Sequence, residues 1–372
     1  MGESVGLYIH IPFCKQKCFY CDFPSFSGKE SFMINYAKAL SKEICGIKNK
    51  IGTIFIGGGT PTYLSLDAWK FIKEALDGLN KEKDLEFTVE GNPGTFTEEK
   101  IKFFKEMGVN RLSIGLQAWQ DDILKTLGRI HTLEDFKNSY KMARDYGFKN
   151  INIDLMFGLP NQSLEDWKET LRNVINMEPE HLSCYSLIVE EGTAFYKNIE
   201  KLSLPSEEEE RSMYIETVNF LKENLYEQYE ISNFARQGKK CRHNLIYWNL
   251  EEYIGCGSGA HSYLNDERYY NQEDICHYIE LMESKNSAQV DKHKNSTKEN
   301  MEEYAFMGLR KIQGISKKEF KDRYGIDIYD VYGNIIDKYK AMNLMIEEED
   351  RIFLSEEGIQ VSNVIMSDFM LD

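Results

Sequence analysis

The chain has 372 residues, room for two to three domains at ~150 residues each, which excludes a peptide hormone or a disulfide-stapled miniature scaffold. It is 42% hydrophobic with only 7 prolines, as a folded chain should be, and 45 Lys+Arg against 61 Asp+Glu leave a net charge of −16. That sign repels a phosphate backbone, and the lysine runs are broken by Glu and Asp, so no nucleic-acid partner is expected.

The longest apolar stretches, 7–13 around His10 and 151–159 around Asp154, fall short of the ~18 residues a membrane span needs. The N-terminus runs from Met1 into a strand-like segment with no basic region or small-residue cleavage site, so a cytoplasmic location is expected. Cysteines there stay reduced, and a close cluster of them reads as metal-binding or redox-active. Of the 8 cysteines only 14, 18 and 21 make such a cluster.

Six strands are predicted in the first half: 7–11, 53–56, 85–89, 111–114, 151–156 and 182–188, each rich in β-branched or aromatic residues. Between them Phe32, Met33, Tyr36, Ala37, Leu40, Ile44 and Ile47 recur at helical spacing, as do Leu164, Trp167, Leu171, Val174 and Ile175. Thr132 with Asp135 and Ser163 with Asp166 fit the capping box that opens a helix. Alternating βα units with parallel strands point to an α/β fold, and six units are two short of a closed (β/α)8 barrel, so an open, partial (β/α)6 barrel is expected. After Pro205 the pattern changes. Ser206 with Glu209 opens a long helix to about residue 225, a Gly, Asn and Tyr-rich stretch covers 231–271, and the charged segment 284–299 reads as a linker. Residues 300–372 read as a small helical unit closed by a hairpin of 344–347 with 352–354. The expected division is a barrel over 1–200, an extension over 201–290 and a C-terminal helical domain over 291–372.

The loop after the first strand reads Cys14-Lys-Gln-Lys-Cys18-Phe-Tyr-Cys21. Thiolates this close repel one another unless a metal neutralises them, and soft sulfur favours zinc or an iron-sulfur cluster. Structural zinc wants four protein ligands, and no second CxxC occurs, although His10 or Asp22 could complete such a site. Three cysteines on a four-iron cluster leave one iron open to a non-protein ligand. Gly57-Gly58-Gly59-Thr60-Pro61-Thr62 after the second strand lets backbone approach a ligand or, equally, forms a tight turn. Glu90 in TVEGNP, Gln117 in SIGLQ, Arg129 in LGRIH and Asp154 in NIDLMFGLP fall at further strand ends, and a carboxylate on an apolar strand is costly without a partner. All of these lie toward the carboxyl ends of their strands, the face on which such barrels do chemistry.

With CxxxCxxC in this place, the stretch YIHIPFCKQKCFYCDF over 8–23 resembles the radical S-adenosylmethionine (SAM) family, in the branch that contains the oxygen-independent coproporphyrinogen dehydrogenases and the HemW haem chaperones. The likeness covers essentially the whole chain. It implies a [4Fe-4S] cluster on Cys14, Cys18 and Cys21 whose open iron is chelated by SAM, and reductive cleavage of that sulfonium to a 5'-deoxyadenosyl radical. It implies also that Tyr20 lies against the adenine, that Gly58, Gly59 and Thr60 bind the methionine end, and that Tyr8, Glu90, Gln117, Arg129 and Asp154 touch SAM.

The prototype dehydrogenase has a further cysteine two residues beyond the third, where this chain has Phe23, a departure that favours the chaperone branch. His243-Asn244-Leu-Ile-Tyr247-Trp248 fits the HNxxYW motif of that branch, and 253–262 is a glycine-rich turn also typical of it. Imidazole, thiolate and phenolate ligate haem iron, and Trp and Tyr pack on porphyrin faces. The same residues also suit a capped turn and ordinary core, with Cys241, Cys256 and Cys276 as buried thiols. The expected function is a haem chaperone that binds haem, at His243, Asn244, Tyr247 and Trp248, and transfers it to membrane haemoproteins. An electron donor and a homodimer are the further partners expected. The alternatives are radical oxidative decarboxylation of coproporphyrinogen III and radical chemistry on an unrelated substrate.

Overall fold

The computed structural model describes residues 4–371. All six expected strands are present: β1 (Val5–Ile11), β2 (Ile51–Gly58), β3 (Lys81–Gly91), β4 (Arg111–Gln117), β5 (Ile151–Phe157) and β6 (His181–Ser186), each pairing in parallel with the next. The crossover helices are α1 (Met33–Cys45), α2 (Leu66–Asp77), α3 (Glu98–Glu106), α4 (Asp121–Thr126), α5 (Leu133–Asp145) and α6 (Leu164–Ile175). Thr132 and Ser163 close capping boxes with Asp135 and Asp166 as their spacing predicts.

Strand side chains alternate between two faces, and here the two faces differ sharply. One set, with Ile9, Ile54, Val89, Ile114, Ile153 and Leu182, belongs to the main apolar core that includes the buried faces of the helices. The other carries Tyr8 and His10, Thr53, Glu86 and Glu90, Arg111 and Ser113, Asn152 and Asp154, and His181 and Ser183. Their hydrogen bonds run from strand to strand: Ser113 and Asn152 hold Asp154 at 2.9 and 2.7 Å, and His181 Nδ1 lies 2.6 Å from Asn152 Oδ1. The barrel lumen is thus a polar column.

The sheet is open and continues at both edges. Beyond β6 lie β8 (Asn233–Ala235) and β7 (Glu227–Glu230), reached through α7 (Glu207–Glu223), whose capping box is Ser206 with Glu209. Beyond β1 lie β9 (Tyr253–Cys256), parallel to it, and then β10 (His261–Leu264), β11 (Glu267–Asn271) and β12 (Gln289–Lys294), antiparallel. The segment 284–299 is therefore no linker. It ends one helix, forms edge strand β12 and opens the next helix, and its charges are those expected on an exposed sheet edge. The strands of 201–290 join the barrel strands in one 12-stranded sheet.

Between the two extensions the short helix α8 (Arg242–Trp248) carries the HNxxYW residues and seals the end of the barrel where the strands begin. Glu86 receives the backbone N–H of Arg242 and of His243, both at 3.0 Å. Gly6 leaves room for this helix, since a Cβ there would lie 2.8 Å from Ile246. The C-terminal part contains the expected hairpin, as β14 (Met345–Glu348) and β15 (Arg351–Leu354), joined at its edge by β13 (Ile315–Ser316) and surrounded by helices. Its core takes in Leu250 and Tyr263 from the preceding region.

Candidate functional site

At the carboxyl ends of the strands a cavity of about 440 Å³ is lined by Cys14, Cys18, Cys21, Tyr20, Gly58, Gly59, Glu90, Gln117, Arg129 and Asp154 among others. Ten of the residues singled out in the sequence, spread over 140 positions from Cys14 to Asp154, converge there. Its volume falls in the ~300–1,000 Å³ range of small-molecule sites.

The cysteine loop is fastened from below. Cys14 N–H donates to Phe26 O and Phe26 N–H to Pro12 O, so the loop closes on itself around the three thiols. His10 Nε2 donates to Pro24 O at 2.7 Å, which fixes its tautomer, and Nδ1 then accepts from the Tyr8 hydroxyl at 2.9 Å. Tyr8 consequently lies under the cavity, held by His10 and against Phe55, and is not among the residues that line it. Burial pushes the Cys14 and Cys21 thiols up, and the nearby Cys18 adds to both shifts. Three soft sulfur donors on one loop suit a shared cationic centre.

The glycine turn works by close approach. Gly59 N–H donates to Ile11 O and Thr60 N–H to Phe13 O, both at 2.9 Å, while Gly58 N–H faces Glu90 Oε2 at 3.3 Å. These amides are therefore already engaged within the protein. What the glycines permit is contact, since a Cβ on Gly59 would lie 2.9 Å from Phe13 O and 3.1 Å from Cys14 Sγ, and Gly58 sits at φ +109° against the His10 ring. Thr60 faces Cys14 Sγ at 3.5 Å and accepts from Asn92 at 2.8 Å.

Arg129 is the second fastening. Its Nη2 donates to Asn92 Oδ1 at 2.7 Å and Gly115 O at 2.5 Å, and its Nη1 to Cys18 Sγ at 3.6 Å, tying the cysteine loop to the ends of β3 and β4. Gln117 holds φ +72° beside an irregularity in the β4–β5 register, a left-handed conformation that costs a residue with a Cβ ~1 kcal/mol or more. Burial and the Asp154 charge push Glu90 up to about 8. Two inward carboxylates, one of them proton-holding, make the cavity wall suited to hydroxyl and ammonium groups.

Several members of this arrangement carry no strong mark in the sequence. Asn92 bridges Thr60 and Arg129, while Ser113 and Asn152 orient Asp154. Only polarity on inward positions of otherwise apolar strands could have singled out Ser113 and Asn152.

The HNxxYW residues lie apart from this cavity, on α8 in the barrel floor. His243 is buried with Nδ1 2.7 Å from Thr53 Oγ1, Nε2 2.9 Å from the Tyr247 hydroxyl and its ring stacked on Phe55 at 5.2 Å. Both imidazole nitrogens are committed, and burial with Arg111 nearby lowers its pKa to about 3. Trp248 faces Arg310 at 4.7 Å, and Asn249 beyond it accepts from Lys311, both on the C-terminal part. Asn244, on the same helix, is half-buried. The residue expected to bind haem thus sits in the barrel floor with both ring nitrogens hydrogen-bonded. Cys241 and Cys256 are buried thiols as expected, whereas Cys276 is exposed.

Comparison with known proteins agrees with the cavity. The Radical SAM superfamily model matches residues 8–174 and the HemN C-terminal domain model residues 295–361. The chain is 40% identical to a protein named Heme chaperone HemW from Bacillus subtilis, covering 98% of each chain, and 39% identical over 69% of each to the one from Escherichia coli. It superposes on the Escherichia coli coproporphyrinogen III oxidase HemN with a TM-score of 0.87 at 21% identity, over 99% of this chain and 90% of that one, which is a likeness of fold. Among the described residues no helix is long and apolar enough to cross a membrane. Forty per cent identity over nearly the full length of both chains, on a barrel that gathers three cysteines of CxxxCxxC, makes this chain a member of the radical SAM family of HemW haem chaperones.

Proposed function

We propose that this chain holds a [4Fe-4S] cluster on Cys14, Cys18 and Cys21, binds SAM in the adjoining cavity, and carries haem to haemoproteins at the membrane. The observation that carries the reading is the convergence of the three thiols, the glycine turn and the Glu90, Gln117, Arg129 and Asp154 side chains on one cavity. When bound, the cluster and SAM supply one-electron reductive cleavage of a sulfonium. The chain's part is to hold and shape. The cysteine loop would hold the cluster by its three thiols beside the cavity, and Gly58 and Gly59 let the turn pack directly against His10, Phe13 and Cys14 at the cavity edge. Glu90 and Asp154 offer acceptors to hydroxyl or ammonium groups, and Tyr20 offers a ring face to the adenine.

Haem comes into the reading from the relatives' names and from Phe23, which stands 61% exposed at the cavity mouth in the place of the dehydrogenase's additional cysteine. Ligation by His243 would break its bonds to Thr53 and Tyr247 and draw the ring off Phe55, so the proposed cargo is haem but the proposed ligand is not His243 as it stands in the barrel floor.

Anaerobic reconstitution tests the reading. About four irons and four sulfides per chain are expected, lost when Cys18 is replaced by Ala, together with saturable haem binding that survives His243→Ala in folded material. Zinc in place of iron and sulfide overturns the cluster, and an absence of haem binding overturns the cargo. Conversion of coproporphyrinogen III to protoporphyrinogen by the reconstituted protein with SAM and reductant would favour the decarboxylase instead.

A further inference from the structure

Gln16, Cys18, Asn92 and Arg129 line the large cavity and also a second, much smaller cleft. The cleft measures about 30 Å³, and its wall is continued by Thr60, Thr95 and His131. That volume holds one water and no larger ligand. It places whatever occupies it beside Cys18, the thiol that Arg129 Nη1 approaches to 3.6 Å.

Most polar groups of this cleft are engaged within the protein. Arg129 Nη2 donates to Asn92 Oδ1 and Gly115 O, and Asn92 Nδ2 donates to Thr60 Oγ1. The Thr95 hydroxyl donates to Asn92 O and the Gln16 amide to Gly128 O. His131 is the exception. It is 6% exposed, and among the described residues its Nε2 has no hydrogen-bond partner. Burial and the Arg129 charge lower its pKa to about 3, so the ring is neutral and carries a single proton. The Leu116 carbonyl attracts a ring N–H, and a proton on Nδ1 leaves Nε2 as a bare acceptor. A bare acceptor at this depth is costly unless a donor reaches it. Water is the donor that fits the cleft, and its two protons have two acceptors with open capacity, His131 Nε2 and Cys18 Sγ.

We propose that His131 is a positioning residue for the cluster: it holds one water in this cleft, which donates one hydrogen bond to His131 Nε2 and the other to Cys18 Sγ. The inference rests on the reading of Cys14, Cys18 and Cys21 as cluster ligands. A hydrogen bond to a cluster sulfur stabilises the more negative, reduced form and so raises the reduction potential. His131 does not line the large cavity, so its action passes through Cys18 alone.

The test compares reconstituted parent, His131→Leu and His131→Gln holoproteins. A redox titration followed by the paramagnetic signal of the reduced cluster gives the potential of each. His131→Leu removes the acceptor and fills the space with apolar bulk. It is expected to lower the ratio of reduced to oxidised cluster at a fixed potential about tenfold, which is about 59 mV for a one-electron couple. His131→Gln, whose side-chain carbonyl reaches about as far as Nε2, is expected to recover at least half of that shift. Pulsed electron-nuclear resonance in D2O reads the water itself, as one coupled exchangeable deuteron present in the parent and in His131→Gln and missing from His131→Leu. Should His131→Leu fail to fold, His131→Met, unbranched and of similar length, takes its place with the same expected result. Equal potentials in the parent and the apolar variant overturn the proposal, as do equal losses in the apolar variant and His131→Gln, or a deuteron count that the apolar variant leaves unchanged. Absence of iron and sulfide from the reconstituted parent sinks the cluster reading instead, and elemental analysis reports that separately.

Discussion

Glu90 on β3 and Asp154 on β5 both line the cavity, and the geometry gives them unequal roles. Asp154 takes hydrogen bonds from Ser113 and Asn152, whereas Glu90 has one long contact, to Gly58 N–H, and burial pushes it up to about 8. A carboxyl whose folded pKa lies above its unfolded value keeps its proton in the native state after the unfolded chain has lost it. Between about pH 4.5 and 8 stability therefore falls as pH rises, by at most ~1.4 kcal/mol per unit. A cation in the cavity reverses the preference, because a nearby positive charge favours the carboxylate. SAM brings an ammonium and a sulfonium. Its binding near pH 7 should release up to one proton per chain, and its affinity should rise with pH and level off above about 8. Calorimetry in buffers of different ionisation enthalpy reads this directly; Glu90→Gln should abolish the proton release, and an unchanged release in that variant assigns it elsewhere. Glu90 and Asp154 were legible because a carboxylate on an apolar strand has to be explained. Asn92 was not, since an Asn beside Gly and Pro reads as turn chemistry, and its bridge from Thr60 to Arg129 exists only once three strand ends meet.

At the level of elements, the alternation that revealed the six strands also held the lumen, since Thr53, Glu86, Arg111, Asn152 and His181 are the polar half of a period of two. Their purpose was illegible because it depends on α8, which in the case of Glu86 arrives from 156 residues later. Seven residues are too few for a helix to persist alone, so α8 depends on its anchorage. Glu86 supplies it, accepting the first two N–H groups while Cys241 Sγ stands 3.6 Å from the same carboxylate. Glu86→Ala leaves the buried His243 N–H, the part-buried Arg242 N–H and the buried Arg111 without this partner. A loss of ~2–4 kcal/mol is expected, seen as a lower melting temperature. Glu86→Gln, which keeps an acceptor, should recover part of it. Equal stability of Glu86→Ala and the parent would show that α8 is held by packing alone. The segment 284–299 was misread for a related reason, because a charged edge strand and a charged loop have the same composition, and only pairing with β11 separates them.

Across the whole molecule, packing and backbone hydrogen bonds cross the boundary expected near residue 291. The C-terminal core includes Leu250 and Tyr263, and Ile231 N–H to Arg310 O and Ile312 N–H to Tyr229 O, both at 3.1 Å, carry the backbone pairing across the junction. Lys311 lies between these bonds, 4% exposed, with its ammonium on Asn249 Oδ1 at 2.7 Å just past the HNxxYW helix. Burial lowers its pKa to about 8. Below pH 8 the folded and unfolded chains both carry the charge, and the cost of burying it is fully present. Between about pH 8 and 10.5 the folded form is neutral while the unfolded chain still binds the proton, so this residue's contribution to stability rises with pH. Lys311→Met removes the titration together with one hydrogen bond. The stability of the parent relative to the variant should therefore be lowest below pH 8 and climb by up to ~1.4 kcal/mol per unit above it. Chemical denaturation of the two proteins across that range measures the difference directly. Parallel curves would mean that the ammonium is solvated at the junction and that the C-terminal unit is held there by its apolar contacts. A climbing difference, in a single cooperative transition for the entire chain, would mean that barrel floor and C-terminal unit unfold as one body.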